Sequence, residues 1–200
     1  MTEAPKRIGM FGGSFDPPHV GHIFCVRVAA EQLKLDRLLI IPTARQPHKL
    51  AGASAPDAVR CEMVQALIWD DPLFKLSLIE INRGGVSYTV DTLKTLARLY
   101  PSPQHKLYCL IGSDALAKID TWRDTETIFS LARVAVMTRP GNELKGIQNR
   151  WAGRVDKVDI PRLEISSTYI RQRIAAGLPV RSIVGASVDD IIKQHRLYRN

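Results

Sequence analysis

Short apolar runs alternate with longer segments of helical periodicity along this chain of 200 residues. That alternation is typical of a parallel sheet whose strands are connected by crossover helices. We therefore predict a Rossmann-like α/β fold, a doubly wound parallel sheet of five or six strands with helices on both faces. The predicted strands are residues 7–11, 37–41, 74–81, 106–112 and 133–137, and the predicted helices are residues 20–35, 59–67, 90–100 and 165–177.

The length and composition indicate a single domain. Two hundred residues match the usual size of one hydrophobic core, and 45% hydrophobic residues suffice to build it. No internal repeat, low-complexity segment or linker divides the chain. We expect residues 1–200 to form one domain, in which the C-terminal helical part from about residue 165 packs on the same sheet.

The cysteines and the N-terminus favour a cytoplasmic protein. Cys25, Cys61 and Cys109 are far apart and form no C-x-x-C pair, so neither a disulfide framework nor a thiolate metal site is indicated. The N-terminus lacks the apolar core of a signal peptide, and no run approaches the roughly 18 apolar residues of a membrane span. We expect no association with a membrane.

The net charge of +8 predicts a polyanionic partner, which could be nucleic acid, an acidic membrane surface or a small phosphate-rich substrate. A nucleic-acid-binding module would cluster cations and aromatic residues in a recognisable motif. Here the 28 Lys and Arg residues are spread along the chain, and only 6% of residues are aromatic. A basic nucleic-acid-binding module is therefore the remote alternative, and a small phosphate substrate is preferred.

Residues 12–22, GGSFDPPHVGH, connect the first predicted strand to the first predicted helix. Open parallel sheets bind ligands at this edge, beyond the carboxyl ends of their strands. Gly12 and Gly13 allow unusual backbone dihedrals and close approach of a ligand, while Pro17 and Pro18 stiffen the turn. The segment is thus a candidate ligand-binding turn.

His19 and His22 are three residues apart, so both rings should project to one side of the first helical turn. A helix N-terminus offers unpaired N–H groups and partial positive charge, to which the imidazoles add donors for phosphate oxygens. Gly21 lets a bulky ligand approach the backbone. Two alternatives remain: zinc binding, which needs about four ligands and finds only Asp16 nearby, and ordinary packing of two histidines.

This segment resembles the signature of the HxGH nucleotidyltransferase superfamily. Six further segments match in the expected order, and the chain resembles the bacterial nicotinate-nucleotide adenylyltransferases from about Ile8 to Tyr198. These segments are QPHK (46–49), GGVSYTVDTL (84–93), LIGSD (110–114), TWRDTETI (121–128), MTRPG (137–141) and ISSTYIR (165–171).

The resemblance implies transfer of the AMP part of ATP to nicotinate mononucleotide, giving nicotinate adenine dinucleotide and pyrophosphate in NAD biosynthesis. The acceptor phosphate would attack the α-phosphate directly and in line, with Mg²⁺ accompanying ATP and no residue assigned as a metal ligand. The alternative acceptors are nicotinamide mononucleotide and another phosphorylated molecule such as pantetheine phosphate. A homo-oligomer is compatible with the sequence.

The resemblance also assigns roles to individual residues, divided between catalysis and two binding sites. The catalytic residues are His19, His22 and Arg171. ATP-binding residues are Gly12, Gly13, Ser14, Phe15, Gly21, Gly112, Asp114, Ser167 and Thr168. The residues expected to bind nicotinate mononucleotide are His48, Lys49, Thr89, Trp122 and Arg123.

Each of these segments also has an ordinary structural interpretation. Ser166 to Thr168 could form a plain helix cap beside a solvated Arg171, and Asp114 could likewise be a helix cap. QPHK could be a solvated basic loop, and Gln46 stands where a proline is common in the family. Trp122 could be a core residue, and Arg123 stands where several relatives have an aromatic residue.

Overall fold

The computed structural model describes residues 4–47, 55–138, 151 and 153–199. Within these residues, six strands form one parallel sheet in the order β3-β2-β1-β4-β5-β6. This confirms the predicted α/β fold with a doubly wound parallel sheet. The strands are β1 (Lys6–Gly13), β2 (Arg37–Pro42), β3 (Phe74–Leu76), β4 (His105–Gly112), β5 (Arg133–Thr138) and β6 (Val155–Asp159).

The strand order reverses between β1 and β4, which pair side by side, with Phe11 opposite Leu110. The chain runs from β1 outward through β2 to β3, and then from β4 outward through β5 to β6. Adjacent crossover connections therefore diverge at the carboxyl ends of β1 and β4. Such a divergence leaves a crevice at the sheet edge, where doubly wound folds bind ligands.

The helices connect successive strands and then continue beyond the sheet. Helices α1, α2, α4 and α6 carry buried apolar residues toward the strands, as helical periodicity in their sequences requires. The described helices are α1 (Val20–Leu33), α2 (Asp57–Leu67), α3 (Ile79–Arg83), α4 (Thr89–Leu99), α5 (Ser113–Leu116), α6 (Thr125–Leu131), α7 (Ser167–Ala175), α8 (Arg181–Val184) and α9 (Ala186–Gln194), with a 3₁₀ turn at Ile119–Thr121.

Alternate residues of each central strand enter two separate cores because side chains alternate across a sheet. Met10 of β1 and Cys109 of β4 face α4 and α6 on one side. Ile40 of β2 and Leu110 of β4 face α1 and α2 on the other side. Helices therefore cover both faces, as predicted, and the strands are buried enough to read as nearly continuous apolar runs.

The C-terminal helices pack mainly on α2, whereas the sequence led us to expect that they pack on the sheet. Met63 of α2, Ile170 of α7, Val184 of α8 and Ile192 of α9 belong to a third core. Helix α2 can hold this second layer because Val64, on its other side, packs toward the sheet. The C-terminal part thus extends the core through α2.

The predicted strand at residues 74–81 is wrong in its second half. Only Phe74–Leu76 pair with β2, and the chain then forms the short helix α3. The helix ends at Gly84, whose φ of 67° is a conformation that glycine adopts freely. The run of apolar residues concealed this change, because a short buried helix and a short buried strand have similar composition.

Strand β6 was absent from the strands that we predicted, although six strands were within the expected range. Three of the five residues of β6 (VDKVD) are charged, since this strand lies at the edge of the sheet. Across the described part of the chain, no helix is both long and apolar enough to cross a membrane.

Candidate active site

The candidate ligand-binding turn begins where β1 ends at Gly13. The prediction that Gly12 and Gly13 supply unusual dihedrals is wrong, because Phe15 is the residue with a left-handed backbone, at φ 48°. Gly13 is required for space instead: a Cβ there would lie 3.1 Å from the ring of Phe15. Phe15 is buried, so the turn folds back over its own aromatic side chain.

The structure brings the two histidines of the turn together at the start of α1. His19 is the N-cap residue of α1, and His22 is its third residue. Their rings stack with centroids 3.6 Å apart and an interplanar angle of 21°. Phe15 packs its edge against His22 at a centroid distance of 5.2 Å. Both imidazoles therefore project to one side, as their spacing predicted.

Burial keeps this histidine pair neutral at physiological pH. It lowers the pKa of His19 to about 4 and that of His22 to about 3, with the neighbouring His19 contributing to the second shift. The backbone N–H of His19 donates to Nδ1 of His22 over 3.2 Å. Since Nδ1 accepts, the proton of neutral His22 lies on Nε2, which is thereby left as a donor.

Gly21 makes room for the histidine pair as well as for a ligand. A Cβ on Gly21 would lie 3.1 Å from Nδ1 of His19 and 3.5 Å from Cβ of Ile165. The first contact is tighter than an ordinary van der Waals distance. Gly21 consequently lets the segment before α7 lie against the first turn of α1.

Helix α7 is attached to the histidine turn although about 150 residues separate them in sequence. The Ser167 hydroxyl donates to the carbonyl oxygen of Pro17 over 2.8 Å, and Arg171 Nη1 donates to the carbonyl oxygen of Asp16 over 2.7 Å. Arg171 Nη2 also donates to the hydroxyl of Thr168. The N-cap of α7 is Ser166, which accepts from the backbone N–H of Tyr169. Ser166 therefore caps α7, whereas the hydroxyls of Ser167 and Thr168 contact Pro17 and Arg171.

A cavity of about 770 Å³ opens at the carboxyl ends of β1 and β4. Its volume lies within the range of small-molecule sites. The ends of the two strands contribute Gly12, Gly13 and Gly112, and the segments beyond them contribute the side chains of the acceptor site. The lining residues that sequence analysis singled out are Gly12, Gly13, Gly112, Asp114, Thr89, Trp122 and Arg123, together with Gln46.

Two of the predicted acceptor-binding residues, Thr89 and Arg123, line the same part of the cavity, where Arg123 contacts residues on either side of Thr89. Thr89 is the first residue of α4, where backbone N–H groups have no partner within the helix. Arg123 lies with its guanidinium 5.0 Å from the ring centroid of Tyr88 and forms an ion pair with Asp91 at 3.6 Å. Arg123 therefore forms the part of the cavity wall that lies between the Trp122 turn and α4. Its guanidinium adds positive charge to that wall.

Trp122 is half-buried at the end of the 3₁₀ turn and packs against the first core. The Thr125 hydroxyl donates to the carbonyl oxygens of Trp122 and Ile119, which fixes the turn. A half-buried tryptophan can support a ring with the face that remains open. The packing interpretation and the binding interpretation of Trp122 are thus both accommodated.

Gly112 ends β4, and Asp114 lies two residues beyond it. The N-cap of α5 is Gly112, so Asp114 is inside the helix and is not its cap. The Asp114 side chain is exposed and lines the cavity, in a position to accept hydrogen bonds. His48 and Lys49, which we predicted to bind the acceptor, lie outside the described residues.

The sequence analysis did not identify Arg60, whose side chain hydrogen-bonds to the backbone of the histidine turn. This arginine of α2 is fully buried and donates to the carbonyl oxygens of Ser14 and Thr43 and to the carboxylate of Asp57. It ties the end of β1 to the end of β2. Its signal in the sequence is a single cation among the apolar residues of DAVRCEM, which we had used only to predict a helix.

A buried carboxyl group in the cavity was also missed. Glu80 of α3 is 3% exposed and accepts a 2.6 Å hydrogen bond from the hydroxyl of Thr92. Burial raises the pKa of Glu80, against the opposing effects of Thr92, Ser87 and Arg83. These residues hold α3 and the first turn of α4 in fixed relation beside the cavity.

Zinc binding by His19 and His22 finds no support among the residues that the structure places. Within those ranges, no group of three or more His, Cys, Asp or Glu side chains could hold a metal ion. Cys61 and Cys109 are buried, and Cys25 is partly buried.

Comparison with known proteins identifies the family. The sequence matches the cytidylyltransferase-like family over residues 10–173. A Desulfitobacterium hafniense protein named probable nicotinate-nucleotide adenylyltransferase is 40% identical over 206 aligned residues, covering 100% of this chain and 99% of the relative. A Thermus thermophilus protein of the same name is 41% identical over 193 aligned residues, covering 96% of this chain and 100% of the relative.

Solved structures share the fold at lower sequence identity. The Plasmodium falciparum nicotinic acid mononucleotide adenylyltransferase complexed with NaAD has a TM-score of 0.75 and 20% identity, covering 96% of this chain and 97% of its own. The same protein complexed with APC also has a TM-score of 0.75. From its full-length sequence matches, this chain belongs to the cytidylyltransferase-like family and, within it, to the nicotinate-nucleotide adenylyltransferases.

Proposed function

We propose that this chain transfers the AMP part of ATP to nicotinate mononucleotide, releasing pyrophosphate and forming nicotinate adenine dinucleotide for NAD biosynthesis. The observation that carries the proposal is the 40% identity, along the whole chain, to a protein named for this activity. The site supports it, because Gly12 and Gly13 line the cavity at the β1–β4 edge and are followed directly by the histidine turn.

The reaction forms one P–O bond and breaks another at the same phosphorus. A phosphate oxygen of the mononucleotide attacks the α-phosphorus of ATP while the bond to the leaving pyrophosphate breaks in line. ATP enters as its Mg²⁺ complex, and the ion offsets part of the phosphate charge. The protein contributes chiefly by holding the two anions in line and by stabilising the charge that develops.

His22 and His19 act on the triphosphate as neutral hydrogen-bond donors. The hydrogen bond from the His19 backbone N–H to Nδ1 of His22 selects the tautomer that carries its proton on Nε2. His22 therefore presents an Nε2–H donor in a fixed orientation. The His19 side chain forms a capping box with His22 at the start of α1, which fixes its ring beside that of His22. A donor that is oriented in advance pays no reorganisation cost at the transition state.

Arg171 supplies permanent positive charge to the leaving pyrophosphate. Its contacts with Asp16 and Thr168 occupy only part of its fork of N–H donors, and the rest can bind phosphate oxygens. The Thr168 hydroxyl, which accepts from Arg171, can still donate, and the backbone N–H groups of Ser167 and Thr168 add donors at the N-terminus of α7. Asp114, Gly112, Ser14 and Phe15 complete the ATP site in this proposal.

Trp122, Thr89 and Arg123 determine the choice of acceptor. The pyridine ring stacks on Trp122, and its carboxylate meets the backbone N–H groups of Thr89 and Arg123. An anion gains more than a neutral amide from the N-terminus of α4 and from the nearby Arg123 guanidinium. This arrangement favours nicotinate mononucleotide over nicotinamide mononucleotide, and we propose that His48 and Lys49 assist with its phosphate.

The decisive experiment measures pyrophosphate release with MgATP and a panel of acceptors. The panel holds nicotinate mononucleotide, nicotinamide mononucleotide and pantetheine phosphate, and mass spectrometry identifies each product. We expect the nicotinate form to give the highest kcat/KM. A preference for the amide would overturn the choice of acceptor, and no release with any acceptor would refute the enzymatic proposal.

Two variants locate the two halves of the reaction. His22→Ala removes one transition-state donor and should lower kcat by roughly 100- to 1,000-fold. Trp122→Ala should raise the KM for nicotinate mononucleotide with little change in the KM for ATP. If His22→Ala stayed folded with normal turnover, the role assigned to His22 would be wrong.

A further inference from the structure

Three distant segments of the chain converge on Asp16, a buried residue in the middle of the histidine turn. Its carboxylate Oδ1 accepts a 2.7 Å hydrogen bond from the hydroxyl of Tyr198 and a 3.1 Å hydrogen bond from the backbone N–H of Ala55. Its carbonyl oxygen accepts from Arg171. Asp16 is 5% exposed, so these contacts lie inside the protein.

The backbone on both sides of the Tyr198 contact adopts unfavourable conformations. Phe15, next to Asp16, has φ 48°, while Arg196 and Tyr198 have φ values of 50° and 60°. None of the three is glycine, so each left-handed residue costs free energy that its surroundings must offset. The hydrogen bond between Tyr198 and Asp16 is one of the contacts that hold this strained backbone in place.

The position of Asp16 gives the contact a route to the ATP site. Asp16 precedes His19 by three residues, and its carbonyl oxygen orients Arg171. Tyr198 itself does not line the cavity. Its hydroxyl is nevertheless committed to Asp16, since burial and the Asp16 carboxylate together raise the pKa of Tyr198.

We propose that Tyr198 is a positioning residue for ATP. Through its hydrogen bond to Asp16, the Tyr198 hydroxyl holds the histidine turn against α7. His19, His22 and Arg171 can then bind the same triphosphate. The inference rests on the ATP site proposed above. The predicted acceptor-binding residues Thr89, Trp122 and Arg123 line the cavity, whereas Asp16 and Tyr198 do not, so acceptor binding should be largely independent of this contact.

The test compares Tyr198→Phe with Ile192→Val in steady-state kinetics of both substrates. Tyr198→Phe removes one hydroxyl and keeps the ring, whereas Ile192→Val removes one methylene from α9 in the same C-terminal core. We expect Tyr198→Phe to lower kcat/KM for ATP by roughly 10- to 100-fold, the scale of a small misplacement at a reacting centre. The KM for nicotinate mononucleotide should change less than about twofold.

Ile192→Val distinguishes a positioning role from general loss of stability. It should lower the Tm by an amount similar to that of Tyr198→Phe and leave both kinetic parameters near those of the wild type. If the two variants gave the same kinetics, or if Tyr198→Phe raised both KM values equally, the proposal would be refuted while the wild-type activity left the proposed function intact.

A double-mutant cycle with Asp16→Ala examines the route through Asp16, because alanine has no oxygen to accept from the Tyr198 hydroxyl. If Tyr198 acts through this carboxylate, adding Tyr198→Phe to Asp16→Ala should change kcat/KM for ATP little further. Full additivity of the two effects would overturn the route. Should Asp16→Ala fail to fold, titration of Tyr198→Phe with a non-hydrolysable ATP analogue still decides: unchanged affinity together with unchanged kcat refutes the proposal.

Discussion

At the scale of single residues, the histidine pair illustrates how burial changes the chemistry of a motif. In solution each imidazole would be partly protonated near neutral pH. Stacked under the turn, both are neutral, and the His22 tautomer is fixed by the backbone of His19. The sequence predicted that the rings lie together, but their charge state depends on groups that only the fold brings near.

Gly21→Ala should lower activity more than it lowers stability. The new Cβ would press on the His19 ring at 3.1 Å, and this ring or the turn must move by a few tenths of an ångström. We expect pyrophosphate release to fall by roughly 10- to 100-fold, with a Tm within a few degrees of the wild type. Gly153→Ala is the control, since a Cβ there meets nothing within 4 Å.

The histidine pair should also make the free energy of unfolding depend on pH. The folded-state pKa values are about 4 and about 3, whereas the unfolded chain titrates near 6.5. Below pH 6.5 the unfolded state therefore binds more protons, and stability falls as the pH falls toward 4. The loss approaches about 1.4 kcal/mol per pH unit for each histidine, which corresponds to roughly 2–4 °C in Tm per kcal/mol.

Thermal unfolding followed by circular dichroism between pH 8 and pH 4.5 measures this dependence. Above pH 7 the two histidines should contribute no slope, because they are neutral in both states. The double variant His19→Asn with His22→Asn should have a flatter profile below pH 6.5. An identical slope in the variant would show that other groups cause the dependence.

At the scale of elements, the candidate active site is assembled from the ends of β1, β2 and β4 and the starts of α1, α4 and α7. Two of the joins between these elements depend on a side chain that donates to a backbone oxygen of another element. Arg60 of α2 joins the ends of β1 and β2, and Ser167 of α7 joins the turn after β1. Such joins have no regular spacing in sequence, so periodicity cannot reveal them.

Arg60→Met should destabilise the protein and disturb the turn together. The variant fills similar volume but leaves the carbonyl oxygens of Ser14 and Thr43 without this donor. At about 1–3 kcal/mol for each buried unsatisfied group, we expect a loss of roughly 2–5 kcal/mol in urea unfolding. Arg37→Met, at an exposed position of β2, should change the free energy of unfolding by less than about 0.5 kcal/mol.

The same distinction explains which elements were predicted. Helix α4 was predicted from the spacing of Val90, Leu93 and Ala97, because its buried side follows the helical period. Strand β3 was overextended because α3 has five residues, too few to show a period. Edge strand β6 contains three charged residues in five and lacks the apolar run by which the other strands were found.

At the scale of the whole molecule, the net charge of +8 should assist capture of ATP. Long-range attraction raises the association rate of a polyanion and is screened by salt. We expect kcat/KM for ATP to fall severalfold as ionic strength rises from about 20 mM to 200 mM, while kcat changes little. Sucrose at matched osmolality should have no such effect.

Charge reversal far from the cavity provides a matched variant. Lys6→Glu with Lys75→Glu alters two exposed lysines and reduces the net charge by four, from +8 to +4. Its kcat/KM for ATP should be lower than that of the wild type at low salt and converge with it at high salt. Parallel curves at all salt concentrations would mean that the surplus charge does not steer ATP.

The sequence by itself determined the class of fold and the identity of the motif residues, because both depend on local patterns. Alternating apolar runs specify parallel strands with crossover helices, and the HxGH turn and the ISSTYIR segment are contiguous in the chain. The tertiary structure alone decided that α7 lies against the turn, that the histidines are neutral, and that Arg60, Glu80 and Tyr198 surround the site. These features depend on contacts between residues up to 182 positions apart, and on the low dielectric that such contacts create.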